Sequence, residues 1–162
     1  MKWLLAVTLL VFSLPAVGCF VPPPEQSTAP DALIARTKNI VLARVVGARA
    51  AQNSYNVLYT LKNVRTLKGQ AAGQFQVTGY PAILEDENLS FNDHTDGQFW
   101  SNHVGRSPND TDCEIHPTFS VGRMYLVFLD RPYHVKSFEL ITHAQGAKRD
   151  KWLRYVESRT GP

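Results

Sequence analysis

The feature that most constrains how this chain can fold is a set of five short segments rich in β-branched and aromatic residues. Turn-forming residues separate these segments. Apolar and polar residues alternate within them, which is typical of strands with one buried face. Five short strands are commonly arranged as a small barrel, which leaves no long exposed edge. The segments are residues 40–50, 55–66, 74–80, 122–130 and 135–143. The sequence therefore predicts a mainly β domain, a five-stranded OB-like barrel with Tyr59, Leu61, Val77, Leu126 and Phe138 pointing inward.

Two helices are predicted at the ends of this β domain. Residues 31–39 follow Pro30 and carry apolar residues at helical spacing, which indicates a short N-terminal helix. Residues 147–158 are amphipathic and predict a C-terminal helix whose Trp152, Leu153 and Val156 face the core.

The first 18 residues have the pattern of a secretory signal peptide. Lys2 is followed by an apolar run over residues 3–14, about half of the ~20 residues that a membrane span needs. Small residues just before Cys19 suit cleavage there. Residues 19–30 are then a proline-rich arm, and residues 31–162 form one domain. We expect an exported protein of the periplasm, the cell envelope or the extracellular space.

Two fates of Cys19 are open. Cys113 is the only other cysteine outside the leader, and an oxidising compartment permits a Cys19–Cys113 disulfide that uses both thiols. Residues 16–19 also resemble a bacterial lipobox, in which the cysteine is lipidated. The disulfide is favoured, because the two cysteines form one pair and leave no thiol over.

A long loop, residues 81–120, interrupts the strand pattern. Long loops inside compact domains are usually functional or partly disordered. His94, His103 and His116 lie there among carboxylates, which are ligand types that suit zinc, but no His-x-x-x-His pair falls on a predicted helix. The sequence predicts neither a metal nor another cofactor. Phe99 and Trp100 form an aromatic pair that either anchors a partner or packs against the domain.

Charge and motifs exclude several classes of function. The net charge is +3, and basic and acidic residues are interspersed without a dense basic run. A nucleic-acid partner needs a concentrated basic face, so none is expected. The chain has no Gly-x-Ser-x-Gly elbow and no phosphate-binding loop, and we predict that it is not an enzyme. Membrane association is expected only if Cys19 is lipidated.

The order of several motifs resembles the tissue inhibitors of metalloproteinases. Cys-Phe-Val-Pro-Pro at residues 19–23 precedes a short helix and a strand at 40–47, and a second strand ends in Lys68-Gly69. Cys113 is followed by a strand-like Tyr-Leu-Val at 125–127. The resemblance covers residues 19–69 and 113–129. It implies a netrin-like OB barrel and a bridge between Cys19 and Cys113.

The resemblance also implies a function. In that family the mature N-terminal cysteine chelates the protease zinc, and the next residue enters the pocket beside the metal. Phe20 stands where the family has a second cysteine, so one family bridge is absent. We expect a non-enzymatic binding or inhibitor-like protein with a protein partner, for which the resemblance implies a zinc endopeptidase. Its expected contact residues are Cys19, Phe20, Val21, Phe99 and Trp100. The alternative is a structural envelope lipoprotein anchored through Cys19.

Overall fold

The computed structural model describes residues 21–52, 54–82 and 91–161. Within these residues the chain forms one antiparallel sheet of five strands in the order β3-β2-β1-β4-β5. The strands are β1 Ile40–Ala50, β2 Val57–Lys68, β3 Gln74–Gly79, β4 Met124–Phe128 and β5 Phe138–Leu140. The helices are α1 Pro30–Arg36 and α2 Lys151–Thr160, and 3₁₀ turns occupy Pro24–Ser27 and Gly97–Trp100.

The first three strands are consecutive neighbours, whereas β4 returns to the other side of β1. The β1–β2 pairing runs from Ile40 opposite Lys68 to Ala50 opposite Val57, with irregularities in register that bend both strands. β4 then pairs with the first half of β1, from Ile40 opposite Phe128 to Arg44 opposite Met124. The long loop therefore leaves the sheet at one edge, β3, and returns to its middle.

The predicted closed barrel is wrong, because the sheet is open. β3 and β5 are its two edges and do not pair with each other in the described residues. β5 is only three residues long, since residues 135–137 form a turn instead of continuing the predicted strand. In that turn the Ser137 amide donates to the His134 carbonyl at 2.8 Å, and the Ser137 hydroxyl accepts from the His134 amide at 2.8 Å. So short an edge strand cannot close a barrel.

Apolar side chains cover both faces of the sheet. One face carries Tyr59, Leu61, Val77 and Phe138, as predicted. Leu126 lies on the opposite face, which corrects its predicted position, because alternate residues of β4 point to opposite sides. On that second face Leu126 packs with both helices and with the 91–104 segment. A strand buried on both sides explains the unbroken apolar run of β4.

The helices confirm the sequence prediction in type and in their buried faces. α1 begins at Pro30, whose fixed φ suits a first helical position. α2 begins after Asp150, whose carboxylate accepts the Leu153 amide at 2.9 Å as an N-cap. Trp152, Leu153 and Val156 are fully buried. No helix in the described ranges is long and apolar enough to cross a membrane.

Candidate functional site

The described part of the long loop is packed on the sheet by an aromatic cluster. Phe99 is completely buried, with its ring 5.5 Å from that of Trp152 and 4.4 Å from that of His94. Trp100 is half-buried and its indole donates to the His94 carbonyl at 3.1 Å. The pair therefore packs against the domain, and Phe99 offers no surface to a partner. Of the two aromatic residues predicted to contact a partner, only Trp100 has exposed surface.

A buried ion cluster fixes the same loop to the rest of the domain. His94 places Nδ1 2.7 Å from the Asp150 carboxylate and Nε2 3.3 Å from that of Glu139. All three side chains are fully buried. Asp150 starts α2 and Glu139 lies on β5, so one imidazole joins the loop to a helix and to the sheet.

Two further cations complete this cluster. Glu139 accepts the Arg106 amide at 2.7 Å, and its other oxygen lies 3.5 Å from the Arg106 guanidinium. Lys136, fully buried beside β5, donates to the Ser101 carbonyl at 2.6 Å and to the Val104 carbonyl. Lys136 thereby ties the 101–104 segment of the loop to the turn before β5.

The environment of the cluster sets its protonation. Burial alone lowers the pKa of His94, but the hydrogen bonds to Asp150 and Glu139 outweigh it and hold the pKa above its ordinary value. Burial lowers the pKa of Lys136 to about 8. A histidine between two carboxylates is a familiar acid–base arrangement, but catalysis needs contact with a substrate, and these side chains have no exposed surface. The geometry is that of a structural clamp.

The three histidines singled out for metal binding lie in different surroundings. His94 belongs to the buried cluster, His103 is exposed, and His116 stacks on Tyr80 at 4.3 Å with Nε2 2.7 Å from Asp112. Within the described ranges no three His, Cys, Asp or Glu side chains converge as metal ligands do.

The proline-rich arm, in contrast to the loop, leads to an exposed edge. Its anchor is the buried Gln26, whose amide nitrogen donates to the Cys113 carbonyl at 2.7 Å and whose amide oxygen accepts from Asn109 at 2.8 Å. The Gln26 carbonyl also accepts the Val135 amide at 3.0 Å. Two residues later the Thr28 carbonyl contacts Nε2 of His134 at 2.9 Å. The arm is thus tied to the loop around Cys113 and to the turn before β5.

An open cleft of about 360 Å³ lies where the arm meets that loop. Pro23 and Cys113 both line it, together with Ile115 and Tyr133. Arg131 and Glu114 face each other across it, with the charged atoms 3.6 Å apart and both side chains largely exposed. Val21, at the outer end of the arm, is 79% exposed. Val21 lies two residues before Pro23, which lines the cleft.

Cys19 and Phe20 lie outside the described residues. The Cys19–Cys113 disulfide and the partner contacts of Cys19 and Phe20 therefore stay predictions.

Sequence reasoning missed the residues that clamp the loop, namely Gln26, Arg106, Lys136, Glu139 and Asp150. The available signal was a lysine and a glutamate within an otherwise apolar strand-like segment, residues 135–143. Because these two residues lie three positions apart, strand alternation places them on opposite sides and gives no sign that both are buried.

Comparison of the chain with protein-family models, curated proteins and solved structures gives no match in any of the three. The case for a function therefore rests on the residues and geometry of this chain.

Proposed function

We propose that this chain is an exported, non-enzymatic binding protein that presents its N-terminal edge to a protein partner. The N-terminal edge consists of residues 19–23 and the facing loop 113–115. A zinc endopeptidase is the best-supported class of partner, because the motif order resembles the metalloproteinase inhibitors. The netrin-like OB relationship belongs to the same proposal.

The anchoring of Gln26 is the observation that carries this proposal. Its side chain and backbone together make three hydrogen bonds to segments distant in sequence, so the arm is fixed at Gln26, while Val21 is exposed. A contact segment that leaves the domain from a fixed point has less conformational entropy to lose on binding than a free tether, which favours affinity. A merely flexible tether would need no such anchor.

The reach of the chain is compatible with a bridge from the arm to Cys113. Pro23 lines the same cleft as Cys113. Cys19 is four residues earlier, and four extended residues span at most about 14 Å. A Cys19–Cys113 disulfide would fix the mature N-terminus beside this cleft. Its free α-amino group and carbonyl are then suited to chelate a zinc ion that has an open coordination position.

The test is inhibition of a panel of zinc endopeptidases by protein that begins at Cys19. The matched control carries one additional alanine before Cys19, which moves the amine away from the metal. We expect inhibition by the first form and none by the second. Equal inhibition by both forms, or none by either, contradicts the proposed mechanism.

A second comparison tests the edge without altering the terminus. Val21→Asp introduces a charge into the proposed contact, while Val121→Asp changes another valine that is 58% exposed and lies outside the edge. We expect Val21→Asp alone to weaken binding to the inhibited protease. Equal effects of both changes would show that the edge is not the contact.

The alternative function, a lipid-anchored structural lipoprotein of the envelope, is favoured by the lipobox-like residues 16–19. It predicts a diacylglyceryl group on Cys19 and hence no bridge to Cys113. Cell fractionation separates the two functions, because lipidated protein stays with membranes after a high-salt wash and the disulfide form is released.

A further inference from the structure

A basic groove crosses the part of the second sheet face that the helices leave uncovered. Along this face of β1, Ile40 and Leu42 are buried in the cluster containing α2, whereas the next residue on the same side, Arg44, is exposed. The groove lies between this end of β1–β2 and residues 142–149, and its volume is about 810 Å³. Ligand pockets typically have about 300–1,000 Å³.

The groove has an apolar floor and cationic walls. Leu42, Met124 and the half-exposed Val64 supply apolar surface. Arg44, Arg65, Arg149 and His143 also line it, and no described Asp or Glu is among its lining residues.

The arginines are only partly neutralised. Arg65 and Arg149 both bind the same oxygen of Glu157, so two positive charges share one negative charge. The Arg44 guanidinium contacts a neutral group, the Gly122 carbonyl, at 2.8 Å. His143 is paired with the Asp93 carboxylate at 2.8 Å, so the groove's net positive charge comes from the arginines.

Strand pairing also places a second positive charge beside Arg44. Arg44 lies directly opposite Lys62 in the β1–β2 register, although Lys62 does not line the groove. Like charges in directly opposed positions destabilise a sheet. An anion that binds to Arg44 would reduce this repulsion.

From these observations we propose that the groove binds a small amphipathic anion, a carboxylate joined to an apolar chain. The carboxylate accepts hydrogen bonds from Arg44, whose guanidinium presents paired donors that match a carboxylate. Arg149 donates from Nε to the Ala144 carbonyl at 3.1 Å and from Nη2 to Glu157, so it contributes Nη1 and its charge. The apolar chain covers Val64 and Met124. This ligand site is separate from the N-terminal edge, whose cleft shares none of these lining residues.

Calorimetry with three probes tests the assignment on the processed protein. Decanoate carries both parts of the proposed ligand, decanol lacks the charge, and acetate lacks the chain. We expect saturable decanoate binding whose affinity falls with added salt. The affinities for decanol and for acetate should be at least roughly tenfold lower than that for decanoate. Equal binding of decanol, or equal binding of acetate, would overturn the proposal, as would the absence of decanoate binding.

Variants locate the site. Arg44→Gln removes a wall cation that donates to one surface carbonyl, that of Gly122. We expect decanoate to bind this variant roughly five- to tenfold more weakly. Val64→Glu adds a negative charge to the floor and should weaken binding at least as much. Arg131→Gln, a largely exposed arginine at the other cleft, is the control and should leave the affinity within about twofold. An unchanged affinity in both groove variants, with circular dichroism confirming that they fold, contradicts the proposal.

Discussion

Glu139→Gln tests whether the buried ion cluster clamps the long loop to the domain. The carboxylate is fully buried, accepts the Arg106 amide and faces the guanidinium of the same residue, and lies 3.3 Å from the His94 imidazole. Glutamine has nearly the same shape and keeps an acceptor for the Arg106 amide. It removes the negative charge between two buried cations.

The expected loss follows from the burial of these cations. Removing one partner of a buried ion pair costs about 3–5 kcal/mol, because the remaining charge is left uncompensated. Since one hydrogen bond to Arg106 is preserved, we expect the lower end, a loss of about 3 kcal/mol in the free energy of unfolding. In a domain of this size that loss lowers Tm by roughly 6–12 °C.

Urea unfolding, followed by tryptophan fluorescence, measures the change, because Trp152 is fully buried and reports on the folded core. Glu114→Gln is the matched control, since that carboxylate is 59% exposed and pairs with Arg131 at 3.6 Å. The control should change stability by no more than about 0.5 kcal/mol. A loss below about 1 kcal/mol for Glu139→Gln, or equal losses for both variants, would refute the clamp.

The same variant should alter the titration of His94. The pKa of this histidine is held above its ordinary value, so its contribution to stability is complete below about pH 6.5 and is lost as the pH rises through the folded-state pKa. Without the Glu139 charge, the folded-state pKa falls and the loss begins at lower pH. Proton NMR of the imidazole follows it directly, and an unchanged pKa would contradict the assigned contact.

Two further predictions concern the docking of the loop and its response to acid. Gly105→Ala should destabilise the protein by about 1–3 kcal/mol, because the added Cβ falls 2.1 Å from the Val135 carbonyl oxygen. Gly97→Ala is the control, since a Cβ added there meets nothing within 4 Å. Equal shifts of Tm in the thermal melts of both variants would contradict the close approach of Gly105 to Val135. Burial lowers the pKa of His134 to about 4, so this residue costs stability as the pH falls from about 6.5 to 4, by roughly 3 kcal/mol at full extent. His134→Gln should flatten the pH dependence of urea unfolding over that range, and an unaltered slope would show that His134 is not the titrating group.

The sheet was largely predictable because its signals are local. β1 has the predicted bounds, and β2 to β4 agree within a few residues, since alternation and turn formers are read from neighbouring positions. The fifth strand begins later than predicted for a local physical reason. The turn at residues 135–137 is stabilised by the hydroxyl of Ser137, a local hydrogen bond that competes with strand pairing.

The polar anchors were not predictable, because their partners are far apart in sequence. His94 binds Asp150, 56 positions away, and Gln26 binds Cys113, 87 positions away. Composition gives no sign of such pairs, and a charged residue in a strand is usually solvent-exposed. Sequence reasoning therefore gave no sign of the contacts that hold Gln26 and His94 in place.

Peptide mapping of the exported protein, by mass spectrometry without reduction, tests the proposed N-terminal edge. We expect a mature N-terminus at Cys19 with a free α-amino group, and a Cys19 peptide covalently linked to the Cys113 peptide. Reduction should separate the two peptides. A lipid on Cys19 together with a free Cys113 thiol, or a mature chain that begins elsewhere, would contradict the proposed N-terminal edge.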